Sequence, residues 1–216
     1  MFYYNSNEKS WIDSLREDGW DDFQIRKYLD YRRKLAYKNS LARIGQTATT
    51  DSQMNKVYRS EWAFEKKYQL KSFETEKEAQ DFAKKVLRSA TWLKLLRTVD
   101  DKFRPVRVAC KNYRGRTAGK AYPNGQIFLD SKTGMKDYIL LHELAHAAGY
   151  FHHDAGFVAV LLKLVSRFMS REAAAILKNE FKKNKVKISV REKTAKTPEE
   201  WLAYYTRMKK ARKGKK

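Results

Sequence analysis

The histidines of this chain are concentrated in one short stretch, LLHELAHAAGYFHHDAGF at residues 140–157, which holds all four of them. His142, Glu143 and His146 form the pattern HExxH. On an α-helix, residues four apart lie on the same face, so the two imidazoles can bind one zinc ion. Glu143 lies about 100° around the helix from His142, where a carboxylate takes a proton from a water molecule beside the metal. The pattern predicts a hydrolytic zinc site with His142 and His146 as ligands and Glu143 as the general base.

A third protein ligand is expected soon after this helix, and the residues alone leave its identity open. His152 completes the spacing HExxHxxGxxH, in which Gly149 allows the turn that returns the last histidine. His153 instead begins the pattern HDxxF, in which the ligand precedes the next helix and the phenylalanine anchors that helix in the core. A carboxylate from Glu172 or Glu180 is a weaker alternative, because two adjacent histidines would then have no task.

Other residues near the motif are candidates for supporting roles. Asp154 either orients a ligand imidazole or stabilises the start of the next helix. Tyr122 and Tyr150 are candidates for stabilising a developing oxyanion, by their position only. The alternative to a metal site is a helix whose two histidines lie at the edge of the core. The apolar flank at residues 139–141, the glycine at the helix end and the additional histidines after it favour the metal site.

The composition restricts the partner and the compartment. The formal net charge is +22 and the isoelectric point is about 9.9, which favours binding to nucleic acid or another polyanion. Cys110 is the single cysteine, so we expect no internal disulfide, no cysteine zinc cluster and a reducing, intracellular compartment. No apolar run approaches the roughly 18 residues that span a bilayer. The N-terminus lacks the order of a secretory signal, and no membrane contact is expected.

Basic residues cluster in three stretches that are candidate nucleic-acid surfaces, Arg26–Lys38, Lys111–Lys120 and the tail Lys209–Lys216. The tail is expected to be disordered until it meets an anion. Tyrosines lie among these charges and can stack on bases, although half-buried packing is the commoner role of such residues. These tyrosines are Tyr28, Tyr31, Tyr37 and Tyr113.

The first half of the chain is predicted to be helical. Residues 1–45 form a small helical unit with a break at Asp18-Gly19, and the loop composition of residues 45–52 marks its boundary. Thr75 followed by Glu78 is a capping box that predicts a helix start. The apolar positions behind it predict one buried stripe, formed by Ala79, Phe82, Ala83, Val86 and Leu87.

Two extended stretches then predict a small antiparallel sheet. The first is residues 104–110, where apolar and basic side chains are mixed. The second is residues 118–130, which read as a hairpin with Asn124-Gly125 at its turn. Together with the helices around it, this sheet indicates an α+β fold in which the sheet packs on the HExxH helix.

The second half is predicted to be helical again. Helices are expected over residues 140–149, ended by Gly149, over 157–168 and 172–181, and from Thr197 with Pro198 in the first turn. The chain is therefore divided into three parts. These are a basic helical extension at 1–45, a zincin-like metallohydrolase domain at 51–190, and a C-terminal helix with a basic tail at 197–216.

HELAH followed by HDAGF resembles the SprT-like and Spartan-type zinc metallopeptidases, which act on proteins attached to DNA. The chain is more similar to a family of phage and actinobacterial metallohydrolases. That resemblance covers about residues 51–188. It includes the upstream segments Asp51-Ser52-Gln53, Lys56-Val57-Tyr58 and Glu61, the Ala79–Trp92 helix, and the downstream run LLKLVSRFMSREAAAILKNEF with the following KVKI.

The resemblance implies that His153, the histidine of HDxxF, is the third ligand, with His152 as the alternate. It implies a Zn²⁺ cofactor, a protein or peptide substrate at or near DNA, and a location in the cytoplasm of a bacterium or phage-infected cell, with association with the virus particle also open. Two other functions are open as well, because HExxH fixes the metal and the water but not the substrate. One is a nucleic-acid-binding or structural protein with a non-catalytic zinc site, and the other is a hydrolase of a small or nucleic-acid-linked amide.

Overall fold

The computed structural model of the protein describes residues 12–13, 15–17, 19–46, 51–98, 101–102, 105–115 and 117–188. Helices predominate, and a small sheet lies between them in the sequence, so the α+β prediction is confirmed. The elements are α1 (Asp22–Gln46), α2 (Met54–Glu65), α3 (Glu76–Leu87), α4 (Ala90–Leu95), β1 (Arg107–Lys111), β2 (Gly119–Ala121), β3 (Gln126–Asp130), α5 (Asp137–Ala147), α6 (Ala155–Phe168) and α7 (Arg171–Lys183).

The three strands form one sheet in the order β1-β3-β2. β2 and β3 are the predicted antiparallel hairpin, and Gly125 takes a φ of +84° in the turn between them. β1, however, runs parallel to β3, with Val108 opposite Ile127, so the expectation of a wholly antiparallel sheet was wrong. Because β3 carries the fully buried Ile127 and Leu129, it takes the centre of the sheet. β1 therefore pairs with β3 and not with β2, the strand that follows it in the sequence. The long connection from β1 through β2 is sufficient for a parallel crossover.

The HExxH helix, α5, lies at the centre of the fold. One side packs on β2 and β3, and other sides contact α3 and α6. α6 packs on α7, which in turn packs on α2. As a result α5 is buried along nearly its whole length, with Tyr138, Leu140, Leu141 and Leu144 fully enclosed.

Several local predictions are confirmed. The Thr75 side chain accepts a hydrogen bond from the Glu78 N–H at the start of α3, and four of the five stripe residues of this helix are buried. Gly149 has a φ of +103°, directly after α5 ends. α6 begins two residues before its predicted range, and α7 begins one residue before and ends two residues after its own. The Ala79–Trp92 segment, in contrast, is two helices, because Ser89 caps a new one by accepting from the Trp92 N–H.

Helix α2 is the element that sequence reasoning did not predict. Its residues are part of the family resemblance, but no secondary structure was predicted for them. The helix from Thr197 and the basic tail Lys209–Lys216 lie outside the described residues. Among the helices that are described, none combines the length and apolar character needed to cross a membrane.

Helix α1 is joined to the rest of the fold near its C-terminal end. Arg43 donates from Nη1 and Nη2 to the two carboxylate oxygens of Asp101, at 3.1 and 2.8 Å. Asp101 also accepts from the backbone N–H and the hydroxyl of Thr98. This pair is an ionic link between the N-terminal extension and the domain that contains α5.

Candidate metal centre

Two of the predicted ligands project from one face of α5. His142 and His146 are one helical turn apart, and their ring centroids lie 4.9 Å from each other. The ring of Phe157, fully buried on α6, lies against both, 5.0 Å from His142 and 4.5 Å from His146. The phenylalanine of HDxxF therefore packs against both imidazoles.

His153 is the histidine that joins this pair. The chain turns at Gly149 after α5 and returns, which places the His153 ring 5.2 Å from His142 and 4.9 Å from His146. The Nε2 atoms of His142 and His153 are 3.3 Å apart. One ring nitrogen from each of the three histidines lies within 4.8 Å of the other two. His152 is not a member of this group in the described part of the chain.

The second nitrogen of each ring fixes its protonation. His142 Nδ1 lies 2.8 Å from Glu61 Oε1, His146 Nδ1 lies 2.6 Å from the Tyr150 carbonyl oxygen, and His153 Nδ1 lies 2.7 Å from Asp51 Oδ2. Carboxylates and carbonyls accept hydrogen bonds, so each Nδ1 carries the proton and donates it. In the neutral ring the lone pair is then on Nε2, so the three Nε2 atoms are the ones available to a metal ion.

This donor set fits zinc. Nitrogen ligands at 2.0–2.1 Å in a tetrahedral site are separated by about 3.3 Å, which matches the distance between the Nε2 atoms of His142 and His153. Neutral imidazoles suit a borderline metal, and each one is backed by an acceptor that orients it and increases its basicity. Three protein ligands rather than four, counted among the described residues, are typical of catalytic zinc sites.

The electrostatics of the rings differ with their partners. Burial, together with the neighbouring His142 and His153, holds the pKa of His146 well below its usual range. Burial also lowers the pKa of His153, against the opposing effect of Asp51. Burial acts the same way on His142, but Glu61 outweighs it and raises the pKa of His142 to about 9. A metal ion binding at His142 therefore competes with a proton, and binding releases it.

Glu143 lies beside the ligands without belonging to the ligand group. Its carboxylate is buried against β2, where it accepts a hydrogen bond from the Ala121 N–H. Gly119 makes this position possible, since a Cβ there would lie 2.8 Å from Glu143 Oε1. Burial raises the pKa of Glu143 to about 7, although His142 and the Ala121 N–H oppose the shift. A carboxylate with such a pKa is suited to taking up and returning a proton near neutral pH.

Three residues of the site were not predicted, and all belong to α2 or the residues before it. Asp51 accepts from both the backbone N–H and the Nδ1 of His153, and Glu61 accepts from His142 and from the Tyr138 hydroxyl. The sequence does contain a signal for Glu61. It lies four residues after Val57 and three before Phe64, so an acidic residue occupies the buried stripe of an amphipathic helix.

Tyr58 is the third of these residues. Its ring stacks on His142 at a centroid distance of 6.1 Å and meets His153 edge-on at 4.9 Å. The side chain is only partly exposed. Burial and the nearby carboxylates of Glu61, Glu143 and Asp51 raise the pKa of Tyr58 to about 12, so its hydroxyl remains a hydrogen-bond donor.

The remaining candidates lie in other environments. Asp154 caps α6 by accepting from the Phe157 N–H, which is the helix-start role. Glu180 forms ion pairs with Lys67 and Lys183, away from the histidines. The phenol ring of Tyr150 packs near Arg97, and only its carbonyl oxygen reaches the site. Tyr122 packs edge-on against Phe128. Glu172 is exposed on α7.

Two of the three basic stretches fall in the described residues, apart from Arg116. Arg26–Lys38 lies within α1, where Tyr31 and Tyr37 are 59% and 43% exposed and so available for stacking, whereas Tyr28 packs on Trp20. In Lys111–Lys120, the Tyr113 ring lies under the Lys111 ammonium group at 5.6 Å, and its hydroxyl is buried.

No known protein family, no curated protein and no solved structure matches this chain.

Proposed function

We propose that the protein is a zinc-dependent metallohydrolase that cleaves peptide or amide bonds in proteins at or near nucleic acid. The observation that carries the proposal is the convergence of three oriented imidazoles next to a buried, non-ligating carboxylate, Glu143. Structural zinc sites normally use four protein ligands and need no adjacent base.

The roles of the residues follow from their contacts. His142, His146 and His153 would hold the ion through Nε2. Bound zinc would supply Lewis acidity, polarising the substrate carbonyl and lowering the pKa of water. Glu143 takes the proton from the attacking water and passes it to the leaving amine. The Ala121 N–H and the gap at Gly119 hold the Glu143 carboxylate in place while it does so.

Tyr58 is the residue that we assign to the substrate carbonyl oxygen. Its ring spans two of the ligands, and its hydroxyl has no hydrogen-bond partner among the described residues. A protonated phenol beside the reaction centre can donate a hydrogen bond to negative charge that develops on that oxygen. Neither Tyr122 nor Tyr150 has its ring against the histidines.

An extended peptide has a surface to pair with beside Glu143. β2 is an edge strand of the sheet. Asp130 N–H donates to the Ala118 oxygen and Tyr122 N–H donates to the Gln126 oxygen, so by antiparallel alternation the polar groups of Gly119 and Ala121 point away from β3. The Ala121 N–H is taken by Glu143, which leaves the N–H and carbonyl of Gly119 and the carbonyl of Ala121 to pair with a peptide as an added strand. This favours a protein substrate over a small amide.

The charge of the chain supports the location near nucleic acid. A net charge of +22 favours phosphate contacts, and if roughly six phosphates are neutralised, affinity should fall by about three orders of magnitude between low and moderate salt. Among the described residues, helix α1 and the Lys111–Lys120 stretch contribute to this positive charge. With a single cysteine, we place the reaction in the reducing cytoplasm of a bacterial or phage-infected cell.

The test combines metal analysis with protease assays on the full chain, with and without single-stranded DNA. Glu143→Gln should keep its zinc and lose hydrolysis by about 10²- to 10⁴-fold, because the general base is removed while the ligands stay. The matched control is Glu172→Gln, the same substitution at an exposed position on α7. His153→Ala should lose the metal, while His152→Ala should retain it.

Full turnover by Glu143→Gln would contradict the assignment of the base. Metal loss confined to His152→Ala would contradict the choice of third ligand. Tight zinc without cleavage of any protein, with or without DNA, would favour the non-catalytic zinc site instead. Cleavage restricted to small amides would favour the alternative of a hydrolase that acts on a small or nucleic-acid-linked amide.

A further inference from the structure

A cleft of about 410 Å³ opens beside the hydrogen bond between Asp51 and His153. Three separate segments line it, through residues 51–53 and 56, residues 152–155, and residues 185 and 187. Lys56, Lys185 and Lys187 are among the lining residues, and we refer to it as the lysine cleft. Its lining includes His153 and Asp51, the carboxylate that accepts from the Nδ1 of His153.

The lysine cleft carries an excess of positive charge. Its two carboxylates are turned to internal partners, since Asp51 accepts from His153 and Asp154 accepts from the Phe157 N–H. None of its three lysines forms an ion pair with an acidic residue in the described part of the chain. Three lysines therefore line the cleft against two carboxylates that are already hydrogen-bonded, and His152 is a further lining residue.

The backbone adds to the positive electrostatic potential of the cleft. α2 begins at the cleft, and its N-cap residue, Gln53, does not cap the helix with its side chain. The positive end of the α2 dipole is thus directed toward the cleft without a side-chain acceptor on it. A helix N-terminus combined with lysines is a favourable environment for a phosphate oxyanion.

Gln53 connects the cleft to the metal centre. Its buried amide donates from Nε2 to the His153 carbonyl oxygen at 3.2 Å and accepts from the Lys187 N–H through Oε1. The segment that holds Lys187 is brought back along residues 51–53 by a turn in which Lys185 takes a φ of +54°, a conformation that favours glycine. The cleft and the third histidine therefore share one hydrogen-bonded wall.

We propose that the lysine cleft is a binding site for a phosphate group, either free or in a nucleotide chain. The lining residues of this site belong to none of the basic stretches at Arg26–Lys38, Lys111–Lys120 and Lys209–Lys216, and they include a predicted metal ligand, His153. Binding does not depend on hydrolysis, so the site can be tested whether or not the protein is an enzyme.

The test is a titration of the full chain with inorganic phosphate and, separately, with a single-stranded oligodeoxythymidine, followed by nuclear magnetic resonance. The Gln53 side-chain amide and the Lys187 backbone amide should shift, because they form the wall of the cleft. In parallel, oligonucleotide affinity is measured over a range of salt concentrations for two double variants. Lys56→Gln with Lys187→Gln removes charge from the cleft, and Lys66→Gln with Lys178→Gln removes the same charge from exposed positions outside it.

We expect the slope of log affinity against log salt to fall by roughly 1.4 in the cleft variant, about 0.7 for each lost phosphate contact on a single strand, and to stay unchanged in the control. A response to phosphate alone would identify a free phosphate as sufficient, and a response only to the oligonucleotide would identify a nucleotide chain. Equal losses in both double variants would overturn the proposal, since the charge would then act diffusely. Equally strong shifts with polyglutamate would also overturn it, because the cleft would then recognise negative charge and not phosphate.

Discussion

At the scale of single residues, the site depends on small side-chain differences between neighbours. His152 and His153 are adjacent in sequence, yet Asp51 accepts both the backbone N–H and the Nδ1–H of His153. That double contact holds the His153 ring toward the other two imidazoles. Gly119 acts by having no side chain, since the carboxylate of Glu143 occupies the space that a Cβ would fill.

Gly119→Ala is expected to displace Glu143 while leaving the fold intact. The added Cβ would lie 2.8 Å from Oε1 and 2.9 Å from Cγ of Glu143, and that flexible side chain can move. Because a displacement of about 1 Å at a catalytic group costs on the order of 10²-fold in rate, kcat/KM should fall by about that factor with zinc content and Tm retained. Lys120→Ala, on the same strand, is the control. Unchanged hydrolysis in Gly119→Ala would show that the Glu143 position is not critical.

At the scale of elements, α2 is the helix that organises the candidate metal centre, although it supplies none of the three histidines. Glu61 lies on its buried stripe, Tyr58 lies against two histidine rings, and Asp51 lies just before its first turn. α5 determines the spacing of His142 and His146, but α2 determines how the rings of His142 and His153 are oriented. Packing of α2 on α7 keeps these acceptors in place.

Glu61→Gln should weaken zinc binding by about 10- to 100-fold, because an amide is a poorer partner than a carboxylate for the Nδ1–H of His142. The affinity is measured by competition with a chelator. Glu65→Gln is the matched control: it is one turn further along the same helix, where Glu65 pairs with Lys136 instead of a histidine. Equal zinc affinity in the two variants would contradict a role for Glu61 in the site.

At the scale of the whole molecule, the N-terminal extension is connected to the turn that follows α5. Arg43 of α1 forms its paired hydrogen bonds with Asp101, whose side chain is fully buried. The Asp101 carboxylate lies close to Gly149, where a Cβ would approach Oδ2 to 2.7 Å. The extension is thus anchored next to the residue at which the chain reverses toward His153.

Arg43→Ala should destabilise the protein by roughly 3 kcal/mol, the lower end of the cost of removing one partner from a buried ion pair, since Asp101 keeps its bonds from Thr98. Arg16→Ala removes a partner of Asp22 from an exposed pair and should change stability by less than about 1 kcal/mol. Urea unfolding of the two variants measures both values. Similar free energies of unfolding would show that the α1 anchor does not contribute to stability.

Much of the fold was accessible from local patterns. The α5 helix, the hairpin at Asn124-Gly125 and the helices α6 and α7 were predicted because periodicity and turn residues act over a few positions. α2 was missed because Ser60 and Glu61 interrupt its apolar stripe, and both are buried only through contacts with distant segments. The predicted direction of β1 was also wrong, because the buried β3 lies at the centre of the sheet and β1 pairs with it in parallel.

The sequence alone determined that His142 and His146 share a helix face with Glu143 beside them, because 3.6 residues per turn leave no other arrangement. It also limited the third histidine to two neighbours. The tertiary structure places the ring of His153 beside the other two, and it supplied the acceptors: Asp51 is 102 positions from His153, and Glu61 is 81 from His142. Local spacing obeys the geometry of the helix, whereas contacts over such separations exist only after packing of the whole core brings the segments together.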